Sequence, residues 1–378
     1  MRYKIGHLGM WTGAVLSAVA LAACGSSNSS STSAAAGGGG STSSSAPAAT
    51  TSSSAAATGT GTGTSGSGAS VNPSNFKVGV VTDIGGLNDH GFNHLAYVGL
   101  QRAEQELHIK GRVLTSSSGA DYTPNLTTLA QQGYNLVVPV GFLMADATDA
   151  VAKQFPKVKF AMVDSDATAE KGDPKNIEGL LFQEEQAGYL AGYLAGLYAK
   201  QHGYKTISSV GGQKIPPVDH YIAGYQAGAQ KADPGIQTLN GYSQDFVDQS
   251  KCKQIALNQI QQGSKVVFQV AGACGLGALS AAQQAGDQGI GVDADQAYLG
   301  SYILTSAEKK VDVAVFNAIK NLLHGQFAAG ANVTNNIANG GIGYGKIGPA
   351  GLKFAPEIQK IYNQIKAGQI SNIPNTVK

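Results

Sequence analysis

Charge is scarce in this chain. The 26 Lys and Arg and 24 Asp and Glu make up 13% of 378 residues and nearly balance, at a formal +2. No polybasic stripe runs along the sequence, which argues against a nucleic-acid partner. Tryptophan occurs once, at Trp11, and cysteine three times, at Cys24, Cys252 and Cys274. The chain has no GxSxG elbow and no HExxH pair, so nothing supports a serine nucleophile of that kind or a catalytic zinc. The glycine-rich segment Gly272 to Gly277 reads G-x-x-G-x-G, which is not the dinucleotide fingerprint, and it lies late in the chain. An enzyme is therefore disfavoured, and no cofactor is implied.

Long apolar runs are also missing, apart from a short one near the start. Arg2, Lys4 and His7 precede an apolar stretch from about Met10 to Ala20, and Leu21-Ala22-Ala23-Cys24 follows. This pattern fits a lipoprotein signal peptide over residues 1–23, cleaved to leave Cys24 as a lipidated amino terminus. The mature chain is then expected on the extracytoplasmic face of the cell membrane and without tryptophan fluorescence. From Gly25 to about Asn72 the composition collapses to Ser, Ala, Gly and Thr. Such a segment cannot bury enough apolar surface to fold, and residues 24–72 read as a tether spanning on the order of 35–40 Å.

From Pro73 onward, short apolar runs alternate with helical patterns. Strands are expected at Val78 to Thr82, Gly111 to Thr115, Asn135 to Val140, Lys159 to Val163, Ile177 to Phe182, Thr206 to Val210, Ile236 to Gly241, Lys265 to Val270 and Ile290 to Asp293. Helices are expected at Asn93 to Glu106, Thr123 to Gln132, Asp146 to Gln154, Glu184 to Lys200, Ala223 to Lys231, Ser250 to Gln262 and Leu276 to Ala285. Regular alternation implies an α/β fold with parallel sheets covered on both faces. Nine strands suit two lobes of about five each better than one sheet. The expected organisation is an N-terminal lobe over 73–183, a C-terminal lobe over 184–304, and a segment 305–378 that recrosses and completes both. EEQAGYLAGYLAGLYAK, Glu184 to Lys200, is glycine-rich and short for a membrane span, and reads as a packed helix at the lobe interface.

Four strand ends carry a carboxylate or a glycine-rich turn: Asp83, Asp164, Gly272 and Asp293. In open α/β sheets ligands bind beyond the carboxyl ends of the strands. A carboxylate accepts two hydrogen bonds at once, which suits a vicinal diol, and glycine lets backbone approach closely. The first such edge is VGVVTDIGGLNDHGFNHLAYVGL, where Asn88 and Asp89 can cap a helix and Phe92 and Asn93 open it. Phe92 and Phe246 are read as holding matching positions after strands in the two halves, where their rings could sandwich a flat ligand. His90 and His94, four apart beside Asp89, could instead hold a metal. Cys252 and Cys274 fall at one edge of a sheet, where a disulfide is geometrically possible; two buried thiols are the alternative.

VTDIGGLNDHGFNHLAYVGL, VFQVAGACGLG, GVDADQ and TSAEKKVDVAVFNAI together resemble, in this order, the recurring segments of the basic-membrane-protein family of ABC-transporter substrate-binding lipoproteins, which includes bacterial purine nucleoside receptors. The resemblance covers nearly all of residues 76–325. It implies a type I periplasmic-binding-protein fold, two Rossmann-like lobes with the ligand in the cleft between them. It also implies a monomeric, membrane-anchored protein that captures a nucleoside and presents it to an ABC permease. Carried over by position, Phe92 and Phe246 would stack on the base, and Asp83, Asn93 and Asp164 would line the amino-terminal half of the site. Gly272, Asp293 and Lys309 would hold the ribose, with Asp295 and Lys310 as competitors for the last two roles. Asp164 could accept from a purine N–H, and Asp293 with Lys309 could bind adjacent hydroxyls. Gly91 and His94 stand where the family has Ser and Gln, and Ala271-Gly272-Ala273-Cys274-Gly275 where it reads AGGTG. The rival reading is a binding protein of the same fold for another small ligand, a sugar or a signalling molecule.

Overall fold

A computed structural model describes residues 72–169 and 175–377. The expected signal peptide, Cys24 and all but the last residue of the expected tether lie outside the described residues.

The first five strands are β1 (Lys77–Val81), β2 (Lys110–Leu114), β3 (Leu136–Pro139), β4 (Lys159–Val163) and β5 (Ile177–Phe182). Between them run α1 (Phe92–Leu107), α2 (Tyr122–Gln131) and α3 (Ala145–Gln154). Helix α4 (Glu184–His202) carries the chain to a second sheet, built from β6 (Thr206–Gly211), β7 (Gln237–Tyr242), β8 (Ser264–Val270), β9 (Gln288–Asp293) and β10 (Ile303–Lys309). Its helices are α5 (Pro216–Ala232), α6 (Gln249–Gln261) and α7 (Gly272–Ala285). Helix α8 (Val311–Leu323) returns to pack on α1, β11 (Ala331–Asn335) joins the first sheet, β12 (Ile342–Tyr344) joins the second, and α9 (Ala355–Lys366) packs on α4.

The two six-stranded sheets have matching orders, β11-β5-β4-β3-β1-β2 and β12-β10-β9-β8-β6-β7. All pairings are parallel except β10 with β12. The result is the expected α/β arrangement of two lobes, each a doubly wound sheet. Strand β1 shows why the sequence chooses it. Val78 and Val80 enter the core under α1 and α8, while Val81 enters the opposite core under α2 and α3, so a β-branched run is buried on both faces.

Helix α4 stays inside the second lobe's helical layer and lies against α5 almost backbone to backbone. A Cβ added at Gly192 would come within 1.9 Å of the Tyr225 carbonyl oxygen, so only glycine permits this approach. That explains its glycine spacing without a membrane, and no described helix is long and apolar enough to cross one.

The strands beyond Asp293 were not anticipated. β10 is rich in polar residues, Thr305, Ser306, Glu308 and Lys309, of which only Glu308 keeps appreciable exposure. Burial of that kind depends on distant partners, which periodicity does not report. Helix α5 begins seven residues before its expected start, with Pro216 and Pro217 in its first turn, a position that suits proline's missing N–H.

Candidate ligand-binding cleft

The carboxyl ends of both sheets face one another across a cleft. Its cavity encloses about 620 Å³, open mouth included. Asp83, Phe92, Asn93 and Asp164 line it from the first lobe and Phe246, Gly272, Asp293 and Lys309 from the second, so all eight residues singled out in the sequence come together.

On the first lobe, Asp83 follows β1. Its Oδ1 accepts from the Ile84 amide at 2.7 Å and from the Tyr122 hydroxyl, and its own N–H donates to Asn93 Oδ1 at 2.8 Å. Asn93 thus ties the loop to the first turn of α1. The Asp89 carboxylate serves the same turn, accepting from the amides of Gly91 (3.1 Å), Asn93 (2.7 Å) and His94 (3.1 Å), three donors that a helix start leaves unpaired. His90 lies before α1 with φ of 56°, so His90 and His94 do not form an i, i+4 pair on one helix as the metal reading required.

Asp164 after β4 and Asp293 at the end of β9 occupy equivalent places in the two sheets. Both hold left-handed backbone, with φ of 66° and 63°. Such conformations cost non-glycine residues energy and cluster at functional sites. Asp293 Oδ1 accepts from the Tyr221 hydroxyl at 3.2 Å. Across the cleft, a Cβ added to Gly91 would sit 3.5 Å from the Asp293 Cβ, an ordinary contact between the lobes.

Lys309 closes β10 and is buried. Its Nζ donates to Asp164 Oδ2 at 2.7 Å and to Glu184 Oε1 at 2.8 Å, and lies 5.0 Å from the Phe92 ring centre and 4.7 Å from that of Phe182. Lys309 meets Asp164 and Glu184 directly, not Asp293, because its side chain reaches over to the first lobe's strand ends. Asp164 is engaged by that ammonium, and its Oδ1, 2.6 Å from the same nitrogen, has no aligned donor. The competitors fall outside the cavity: Asp295 is exposed and accepts from the Ala297 and Lys346 amides, and Lys310 pairs with Glu308 at 2.6 Å.

Phe92 and Phe246 both line the cavity, but not from matching positions. Phe92 opens α1 after β1, whereas Phe246 lies in the loop after β7, the counterpart of β2. The Phe246 carbonyl accepts from the Cys274 amide at 3.0 Å, and Cys274 is bridged to Cys252, with Cα atoms 5.6 Å apart. The disulfide therefore staples α6 to the first turn of α7, on which the Phe246 loop rests. Gly272 opens that turn with φ of 54°.

Carboxylates outnumber cations here. Burial pushes Asp83 and Asp293 up to about 6. Burial alone would lower the Lys309 ammonium, but Asp164, Glu184 and Asp293 around it hold it up, so it stays charged. One ammonium cannot neutralise two carboxylates. Burial, with Glu184 adding to it, leaves Asp164 raised, while Lys309 and His220 overcome burial at Glu184 and hold it low. Glu184, Glu185 and His220 bring three donor atoms within 4.8 Å of one another, yet Glu184 is already bonded to Lys309 and His220.

Phe142, Ile215, Pro217, Val218 and Tyr221, to which the sequence assigned no role, also line the cavity. For the last four a signal existed: the proline pair marks the start of α5, which brings its first turns to the cleft. Phe142 follows β3 with no local mark.

Residues 76–374 match the Bmp family, described as ABC transporter substrate-binding protein PnrA-like. The chain is 36% identical over 294 residues to the ABC transporter nucleoside-binding protein BmpA of Lactococcus lactis subsp. cremoris, covering 72% of this chain and 82% of that one. It is 35% identical over 304 residues to an uncharacterized lipoprotein of Pyrococcus horikoshii, covering 77% and 74%. Among solved structures, an ABC transporter solute-binding protein from Aeropyrum pernix K1 superposes with a TM-score of 0.71 at 26% identity, over 79% of this chain and 94% of that one. A solute-binding protein from Burkholderia graminis in complex with D-arabinose shares the fold alone, with a TM-score of 0.55 at 16% identity over 72% and 96%.

Proposed function

This chain belongs to the Bmp family of PnrA-like ABC transporter substrate-binding proteins and is a non-enzymatic solute-binding protein; from that premise we propose that its ligand is a nucleoside, a purine nucleoside above all. The observation that carries the reading is the chemistry of the cleft walls: one phenylalanine ring from each lobe, with buried acceptors and a buried ammonium beside them. Flat aromatic ligands stack on such rings at about 1–3 kcal/mol per base. In this reading Phe92 and Phe246 hold the base, with Asp83 and Asn93 on the first-lobe side.

The ribose would lie by Gly272, Asp293 and Lys309. Asp293 can accept from two hydroxyls, and Lys309 keeps a third N–H beyond those given to Asp164 and Glu184. Asp164 then acts chiefly by fixing Lys309, with its Oδ1 left for a ligand donor. Closure of the lobes would bury the ligand and present the closed form to an ABC permease, so binding works by shifting an open-to-closed population. We further propose that Cys24 carries the lipid that anchors the protein outside the cytoplasmic membrane, in keeping with lipoprotein relatives.

The reading is tested by denaturing the freshly purified protein and weighing what it releases. A purine nucleoside in near-stoichiometric amount is expected. Stoichiometric release of a free sugar or another non-nucleoside would overturn the assignment.

A further inference from the structure

Two glutamines of the second lobe are buried beside the cleft and line none of it. Gln269 of β8 and Gln296, in the loop after β9, are 0% and 1% exposed. Gln269 Nε2 donates to Gln296 Oε1 at 2.9 Å, and each side chain also holds a strand end. Gln269 Oε1 accepts from the Ala271 amide at 3.1 Å, and Gln296 Oε1 accepts from the Val292 amide at 3.4 Å. Ala271 immediately precedes Gly272, and Val292 immediately precedes Asp293. The Gln296 amide in turn donates to Ser306 Oγ at 3.0 Å, on the strand that ends in Lys309. One run of hydrogen bonds thus reaches the base of each group placed at the ribose.

Backbone pairing does not join these ends. Strands β8 and β9 are paired from Val266 with Gln288 to Phe268 with Ile290, whereas β8 continues to Val270 and β9 to Asp293. The glutamine bond spans the strand ends beyond the point where the ladder stops. The surrounding chain leaves room for it: a Cβ added at Gly275 would come within 1.8 Å of Gln269 Oε1, and one at Gly291 within 2.6 Å of Gln296 Oε1. Buried amide side chains are costly unless bonded, so their presence here follows from what they hold. Asp293, with φ of 63°, also needs its surroundings to fix it.

We propose that Gln269 and Gln296 are a positioning pair for the ribose, a role that rests on the nucleoside reading above. Their bond sets the spacing between the Gly272 turn and Asp293, so that both meet the same sugar.

Calorimetry on the full chain with inosine and with 2′,3′-dideoxyinosine, which keeps the base and lacks the two hydroxyls, tests this. Gln296→Met, close in shape but without the acceptor, should weaken inosine about tenfold or more and dideoxyinosine by less than about threefold. Gln269→Asn, shorter by one carbon and still polar, should act in the same direction, and it serves as the test if methionine prevents folding. Because the pair acts as one unit, the double variant should lose no more inosine affinity than the larger single loss. If the wild type binds inosine, then equal weakening of both ligands, unchanged inosine affinity in the folded variants, or full additivity in the double variant would each overturn the positioning role. A folded wild type that binds neither ligand would overturn the nucleoside reading, and the positioning role with it.

Discussion

Lys309 and Asp164 are 145 residues apart in the chain, yet the Lys309 ammonium donates to Asp164 Oδ2 at 2.7 Å across the cleft. One residue ends a strand of the second sheet and the other follows a strand of the first. Their contact fastens the lobes at the place where a ligand would be held, and Glu184, at the start of the linking helix, completes the cluster.

Removing the ammonium should therefore cost more than a surface charge would. Lys309→Met leaves Asp164 and Glu184 buried without their counter-ion, and a loss of about 3–5 kcal/mol in urea unfolding is expected. Adding Asp164→Asn should recover part of it. Wild-type stability in the single variant would mean that the pair does not hold the lobes.

Phe246→Ala should weaken nucleoside affinity by about 1–3 kcal/mol while barely changing stability, because the ring is only half-buried. Calorimetry on the variant checks this, and unchanged affinity would remove the stacking role.

Most of the first sheet was legible because strands buried on both faces announce themselves as apolar β-branched runs, as Val78 to Val81 do. The carboxylates of the cleft were legible because they stand at strand ends, where parallel sheets gather ligands. Their pairing was not. Lys309 reaches Asp164 and Glu184 through a chain reversal between lobes, and no local pattern records which of several acidic residues an ammonium will meet. Strands β11 and β12 were missed for a related reason: each is short and lies at a sheet edge, drawing its stability from one neighbour. Helix α9 has a strongly amphipathic pattern, with Ile358, Ile361 and Ile365 buried, and was open to detection.

Acidity should oppose ligand binding. In the free protein Asp83 and Asp293 hold their protons up to about pH 6, above the ordinary 3.8. Hydroxyl and N–H donors of a nucleoside favour the ionised carboxylates, so binding near pH 6 should release protons. Affinity should then fall as pH drops through 6, by up to about tenfold per pH unit for each carboxylate that must ionise. Stability of the free protein runs the other way. The folded state binds more protons than the unfolded one between about pH 4 and 6, so the contribution of these groups declines as pH rises through that window. Calorimetry in buffers of different ionisation heat would detect the released protons, and a proton count of zero at pH 6 would contradict the account.

The disulfide should affect both stability and the site. Cys252 and Cys274 close a loop of 22 residues, for which chain entropy gives about 3 kcal/mol. The Cys252→Ser, Cys274→Ser double variant should lose stability of that order. Its nucleoside affinity should weaken as well, since the Phe246 carbonyl rests on the Cys274 amide. A variant that is less stable but binds unchanged would confine the bridge to a structural role.

The central claim is that two aromatic rings and a set of ribose partners act on one molecule. Calorimetric titration of the refolded, ligand-free protein with adenosine, guanosine, inosine, cytidine, ribose and adenine tests it most directly. Micromolar or tighter binding of the purine nucleosides, with ribose and adenine each far weaker, is the expected result. Tight binding of ribose alone, or no binding of any nucleoside by the folded protein, would contradict it.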